Sequence, residues 1–225
     1  MNAHFERTHQ HDGNGSAILA NPRFGDVTSG RFFEVLSSGQ AVQRGQSVMY
    51  DDMNFPFSTG RTSQNNAPTW TTMLAPFSAY TFAVNDFLQV AAQEFPHQWD
   101  EGTPAELHVH MITNGTNVNA RYVKHRVQAT WANAYTENDM SAYTTVQTFD
   151  MEIEIPANTP NRTHLVHRVG ILDMTGGRIG AYLGLHYTRI AAAGTAPTSN
   201  PFVVAVGVHI KKNTIGSLSM YEKGL

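Results

Sequence analysis

Two histidines separated by one residue end the segment EGTPAELHVH, which covers residues 101–110. Residues i and i+2 of a β-strand point to the same face, so His108 and His110 can converge on one point. Leu107, Val109 and Met111 would then face the core. Paired imidazoles suit a metal such as zinc, iron, manganese or nickel. The spacing therefore predicts a candidate metal site on one face of a strand.

Together with Gly102, this pair forms G-x5-H-x-H, which resembles the start of the first metal-binding motif of the cupin enzymes. The cupin motif continues with a glutamate, whereas the continuation here, MITNGTNVN, contains no carboxylate. The second cupin motif is missing too, and its nearest candidate, VGVHIKKN, lacks the Pro-x-Gly turn. Glu94, His97 and Glu101 are nearby in sequence and could act as substitute ligands. We expect structural or solvent-facing histidines and keep a cupin-like metalloenzyme as the alternative.

A second pair, His9 and His11, lies in the segment THQHDG. One extended segment cannot enclose a metal with two imidazoles. Three copies around a threefold axis would supply six nitrogens, enough for octahedral coordination. The alternative is a pair of solvated histidines.

The elements that would position these residues show a hydrophobic period of two. It is clearest in YVKHRVQATW, QTFDMEIEIP and FVVAVGVHIKK, and further strands are predicted at 31–36, 80–90, 106–113, 164–172 and 181–190. The segment VNDFLQVAAQEF fits either a helix or a bulged strand. Eight or nine strands without a helical layer predict an all-β, antiparallel β-sandwich, with a jelly roll as the first choice. We assign the sandwich to residues 31–225.

Residues 1–30 are polar, rich in Gly and Asn, and not periodic, so they are interpreted as an extended N-terminal arm. Such a composition cannot fold alone, so we expect a sister subunit or a larger assembly to hold it. Phe5, Ile18, Leu19 and Phe24 are the apolar side chains that we expect to be buried in that attachment.

Composition excludes several classes of function. The net charge of −3, with 15% charged residues among 225, argues against nucleic-acid binding. No apolar run approaches the ~20 residues of a membrane span, and the start of the sequence does not resemble a signal peptide. The chain has no Cys, which fits intracellular assembly. It also lacks a G-x-S-x-G elbow and a phosphate-binding loop, so no enzyme is predicted. Aromatic residues could line a glycan site, although core or interface packing explains them more often; the candidates are Trp70, Trp99, Trp131, Tyr182 and Tyr187.

Three segments resemble a group of tailed-bacteriophage proteins: YDDMNFPFSTGR, EFPHQWDEGTPAELHVHMITN and VVAVGVHIKKNTIGSLSMYEKG. Matches to the first motif of that group are Glu94, Pro96, His97, Trp99, Glu101, Gly102, His108 and His110. Matches to its second motif are His209, Lys211, Thr214, Ile215, Gly216 and Ser217. The departures are Phe95 for Leu, Asp100 for Lys and Asn213 for Asp. THQHDG also resembles the His-x-His-Asp-Gly of phage fibre proteins, in which trimers use such pairs around an axis.

The resemblance implies a homotrimeric virion structural protein with a β-sandwich and no established catalytic residues. A capsid decoration or cement protein, or a head or tail fibre, would contact other virion proteins such as the major capsid or tail protein. It would be assembled in the cytoplasm of the bacterial host. His97, Trp99, His108 and His110 would then lie near a subunit interface. A module that binds a host-surface glycan is the third hypothesis.

Overall fold

The computed structural model describes residues 22–45, 49–133, 145–217 and 223. The strands are β1 (Arg23–Asp26), β2 (Arg31–Val35), β3 (Ala41–Arg44), β4 (Met49–Pro56), β5 (Arg61–Thr62), β6 (Thr69–Leu74), β7 (Phe77–Thr81), β8 (Phe87–Glu94), β9 (Ala105–Ile112), β10 (Arg121–Ala132), β11 (Gln147–Ile155), β12 (His164–Leu172), β13 (Tyr182–Ile190) and β14 (Phe202–Lys212). A 3-10 turn covers Phe57–Thr59. Within the described ranges, no helix has the length and apolar character needed to cross a membrane.

Two antiparallel sheets pack face to face as a β-sandwich, which confirms the predicted fold class. One sheet has the order β11-β10-β13-β8-β5, and the other has the order β12-β9-β14-β7-β6. β4 also pairs with β14, on the side away from β9. The site described below lies on the outer face of the second sheet.

The core forms between the sheets because the strands alternate apolar and polar residues. Leu107, Val109 and Met111 on β9 are fully buried, as the period of two predicts. Val123 and Val127 on β10 face them from the other sheet. Side chains at the intervening positions of β9 are therefore left on the outer face.

Most long strands pass from one sheet to the other along the chain. β8 and β10 belong to the first sheet, whereas β9 between them belongs to the second, and the same alternation recurs from β11 to β14. Among the long strands that the structure describes, β10 and β11 are the only consecutive ones that pair directly. The strand order is compatible with a jelly roll, which stays a prediction.

The segment VNDFLQVAAQEF contains a bulged strand rather than a helix. β8 pairs with β13 on one side and with β5 on the other. Leu183 pairs with Gln93 and Leu185 pairs with Val90, so β8 carries one more residue than β13 between these pairs.

β1, β2 and β3 form a separate small sheet. The Glu34 carboxylate, almost fully buried, accepts hydrogen bonds from Arg23 at 2.9 Å and Arg44 at 3.0 Å. The predicted boundary between arm and sandwich, at residue 30, falls within the β1–β2 hairpin. The structure describes only residues 22–30 of the predicted arm, so the division into two regions stays a prediction.

Candidate functional site

The outer face of the second sheet gathers four histidines from three neighbouring strands. His108 and His110 on β9 lie with their ring centroids 4.9 Å apart. The ring of His209 on β14 is 4.3 Å from that of His108. On the other side, His110 Nδ1 and His164 Nε2 on β12 are 3.0 Å apart, which is hydrogen-bond distance. We call these four residues the outer histidine group.

Two carboxylates border the outer histidine group. Asp52 Oδ2, on β4, is 3.6 Å from His108 Nε2 and 3.9 Å from His209 Nε2. Glu106 Oε1 is 3.8 Å from His209 Nδ1, and its other oxygen pairs with Arg168 Nε at 2.9 Å. Asp52, His108 and His110 each offer one potential ligand atom, and these three atoms lie within 4.8 Å of one another. These three side chains could hold a metal ion.

Burial disfavours the protonated form of the two central histidines, His108 and His110. It lowers the pKa of His108, whose side chain is almost fully covered, and the Asp52 carboxylate opposes that shift. Burial also lowers the pKa of His110, and the neighbouring His108 and His164 lower it further. Neutral imidazoles have the nitrogen lone pairs that metal coordination requires.

The substitute ligands predicted from sequence do not join this group. His97 Nδ1 is instead 2.5 Å from Ser217 Oγ, and Glu101 Oε1 accepts a hydrogen bond from the Ile179 backbone at 2.9 Å. Among the described residues, the group that could hold a metal contains neither these two side chains nor Glu94. The structure therefore does not assign these three side chains to the group that could hold a metal, because strand pairing brings Asp52 to this place instead.

The two motifs of the phage resemblance pack against each other. Trp99 and Lys212 form an isolated β-bridge, and the Asp100 amide donates to the Lys211 carbonyl at 2.8 Å. Side chains continue the contact, because Lys211 Nζ lies 3.0 Å from Asp100 Oδ2. We call residues 94–102 together with residues 209–217 the motif junction.

Two of the three departures from the motifs contact each other in the motif junction. Asn213 Nδ2 donates to Asp100 Oδ1 at 2.5 Å. The phage motifs have Lys and Asp at these positions. In this chain the residue at position 213 donates to the residue at position 100. In the phage motifs the Lys at the first position could instead donate to the Asp at the second.

Sequence reasoning missed Lys223, which closes the motif junction. Its side chain is almost fully buried, and Nζ donates to the Trp99 carbonyl and, at 2.6 Å, to Asn213 Oδ1. Burial lowers the pKa of Lys223 to about 8. A lysine close to a chain end has no sequence signal for burial, since this residue type is almost always exposed.

The predicted interface role of Trp99 is wrong. Its side chain is fully buried and its ring centroid lies 4.5 Å from that of Phe95, so it packs within its own chain. Tyr187 is also fully buried, so these two aromatics cannot belong to a glycan site. His97 is half-buried, and Trp70 and Tyr182 are exposed.

The remaining predicted residues lie near the start of the chain. Phe24 is on β1 and is half exposed. Phe5, His9, His11, Ile18 and Leu19 lie outside the described residues, so the threefold metal site and these anchors stay predictions.

A further histidine, His125, lies in the core between the two sheets rather than on the outer face. His125 on β10 is fully buried, and its Nδ1 is 2.7 Å from the Tyr187 hydroxyl. Its ring stacks on that of His167 at 6.1 Å. Burial lowers the pKa of His125 to about 3. The period of two places His125 inward but does not reveal its tyrosine partner.

No protein-family model matches the sequence, and no curated protein matches it. Among solved structures, the chain is similar to an exo-β-1,3-galactanase from Phanerochaete chrysosporium, with a TM-score of 0.35 and 9% identity. That alignment covers 79% of this chain and 36% of the galactanase chain, so this chain spans about a third of it. It is also similar to a chain of Desmodium yellow mottle tymovirus, with a TM-score of 0.21 and 10% identity over 76% of this chain and 91% of the viral one. At these TM-scores neither neighbour carries an argument about function.

Proposed function

We propose that this chain is a structural protein of a tailed-bacteriophage virion that acts through assembly contacts as a homotrimer. The observation that carries the proposal is the motif junction. Segments more than 100 positions apart, which resemble two motifs of one phage group, form a single packed unit through backbone and side-chain contacts. Motifs that stabilise each other in three dimensions are harder to match by accident than separate short patterns.

The contact between Asp100 and Asn213 supports the same proposal. Two unrelated departures from a motif would have no reason to meet, whereas these side chains share a hydrogen bond of 2.5 Å. A donor therefore faces an acceptor across the motif junction, as Lys and Asp can at these positions of the phage motifs.

The hairpin of β6 and β7 provides a surface for subunit contacts. β6 lies at the edge of its sheet, where β7 is its strand partner among the described residues. Trp70, Leu74 and Phe77 on this hairpin are each at least half exposed. Open edge strands and clustered exposed apolar side chains invite pairing with another chain. In this proposal the partner is a second copy of the chain, and a closed trimer covers all three hairpins.

The test of trimerisation replaces the three exposed hairpin residues together. Light scattering coupled to size exclusion should report about three times 24.8 kDa for the parent chain. The variant Trp70→Ser/Leu74→Ser/Phe77→Ser should elute as a folded monomer, because these side chains lie outside the core. The matched control Val118→Ser/Val146→Ser/Ile171→Ser removes exposed apolar groups elsewhere and should stay trimeric. A monomeric parent chain at micromolar concentration would overturn the trimer.

Virion membership needs a separate measurement. Particles purified from the phage that encodes this chain should contain it at a fixed copy number by quantitative mass spectrometry, and antibody-labelled electron micrographs should locate it on head or tail. Absence from purified particles would reject the proposed function, whatever the oligomeric state.

A further inference from the structure

We propose that Asp52, His108 and His110 bind a divalent transition-metal ion of the zinc class on the outer face of the second sheet, with His209 as a fourth ligand. The inference rests on geometry alone and does not depend on the chain being a virion protein. The site would join β4, β14 and β9.

The ligand atoms of Asp52, His108 and His110 all lie within 4.8 Å of one another, and His209 approaches the site beside Asp52. Zinc bonds of about 2.0–2.1 Å in a tetrahedral arrangement place neighbouring ligand atoms roughly 3.3 Å apart. Asp52 Oδ2 lies between two imidazoles, 3.6 Å from His108 Nε2 and 3.9 Å from His209 Nε2. These distances are too long for good hydrogen bonds, so neither ring donates one to the carboxylate. Small side-chain movements would close the group around an ion.

Gly207 provides the space that this geometry needs. It lies on β14, which separates β4 from β9, and pairs with His108 on one side and Asn54 on the other. A Cβ at this position would lie 2.1 Å from His108 Nε2. The imidazole therefore lies over the glycine, across β14 and towards Asp52. A glycine inside a central strand weakens it, and close approach of another group is the usual reason for one.

The surroundings of the ligands fit a metal site as well. A metal-bound histidine commonly donates its second ring N–H to a partner, which fixes the ring. His110 Nδ1 has such a partner in His164 Nε2 at 3.0 Å, which leaves His110 Nε2 available for an ion. Glu106 Oε1 lies 3.8 Å from His209 Nδ1 and could hold that ring in the same way after a small shift.

The ligand set decides between classes of ion. Imidazole nitrogens favour zinc, copper, nickel and iron, whereas magnesium and calcium prefer sites built from oxygen. Three imidazoles and one carboxylate complete a tetrahedron without water, as in structural zinc sites. We expect the bound ion to stabilise the sheet by linking β4, β9 and β14, so the melting temperature should be higher with the ion than without it.

The experiment uses the full chain without an affinity tag, in a His9→Gln/His11→Gln background that removes the other predicted metal pair. After treatment with a chelator, the chain is titrated with ZnCl2 by isothermal calorimetry. We expect one Zn²⁺ per chain, no binding of Mg²⁺, and a rise in melting temperature with Zn²⁺. A chain that takes up no Zn²⁺, or about one ion per three chains, overturns the site.

Single substitutions locate the ion. Asp52→Asn and His110→Gln should each weaken Zn²⁺ binding at least tenfold while the circular dichroism spectrum is retained, because neither side chain belongs to the core. Gly207→Ala should weaken it as well, by displacing the His108 ring. The matched control is His186→Gln, since His186 is half-buried on the other sheet. Equal affinity in the parent, Asp52→Asn and His110→Gln would show that the ion binds elsewhere and would reject the proposal.

Discussion

Histidine appears in two contrasting places in this molecule, on the outer face of one sheet and between the two sheets. The outer histidine group faces the carboxylates Asp52 and Glu106 and is partly open to solvent. His125 is completely enclosed, and its Nδ1 is paired with the Tyr187 hydroxyl at 2.7 Å. The outer position permits an imidazole to gain a proton or a metal ion. The inner position permits neither without opening the core.

The contrast shows that the environment, not the residue type, determines what a histidine can do. Burial lowers the pKa of His125 to about 3, well below its value in an unfolded chain. The same strand alternation that places His108 and His110 of β9 on the outer face of their sheet points His125 on β10 into the core.

The largest expected effect is the pH dependence of stability that His125 contributes. The folded state leaves this ring neutral down to about pH 3, whereas the unfolded chain protonates it near pH 6.5. Between these values the unfolded state binds one more proton, so stability falls as pH falls. The cost at pH 4 relative to pH 7 is about 3 kcal/mol. Urea unfolding at several pH values measures it.

The control for this effect is the double variant His125→Leu/Tyr187→Phe, which removes the titrating ring together with its hydroxyl partner. Its unfolding free energy should fall less steeply between pH 6.5 and pH 4, because about one proton fewer is taken up when this variant unfolds. If the dependence of the unfolding free energy on pH were unchanged in this variant, His125 would not be the group that makes the protein less stable at low pH.

A smaller effect is expected when only the hydroxyl is removed. Tyr187→Phe leaves the buried Nδ1 of His125 without its hydrogen-bond partner and should cost about 1–3 kcal/mol at pH 7. Thermal or urea unfolding measures the loss. Since the double variant leaves no such unpaired group, its two changes should cost less than the sum of the single ones, and strict additivity would contradict the pairing.

The smallest effect is expected on the outer face. His164 is exposed, and His164→Gln in metal-free protein should change the unfolding free energy by about 0.5 kcal/mol or less. Its hydrogen bond with His110 is open to water, which can replace it. A loss as large as that of Tyr187→Phe would show that the two regions are not so different energetically.

Much of the fold is predictable because a period of two has one physical cause, a strand with one buried face. It predicts β9, β10, β11 and β14 and places Leu107, Val109 and Met111 inward. β8 is ambiguous for a physical reason as well. Its extra residue shifts the alternation, so the buried Leu88 and Phe95 are seven residues apart, a spacing that a helix also produces.

The candidate site is predictable only in part. The separation of two positions along one strand identifies His108 and His110 as a pair on the same face. Asp52, His164 and His209 reach them through strand register, and no local pattern encodes which strands become neighbours. The sequence neighbours Glu94, His97 and Glu101 are closer along the chain but belong to other contacts.

β14 follows every other strand along the described chain, yet it lies between β4 and β9 in the second sheet. During synthesis on the ribosome, β4 and β9 therefore emerge first, and the edges that pair with β14 stay unpaired until residues 202–212 have been synthesised. A nascent chain in this state exposes apolar surface and open backbone groups, which makes it a substrate for chaperones and prone to aggregate. Closure of the sheet is then a late, long-range event, and folding should be slow for a protein of this size.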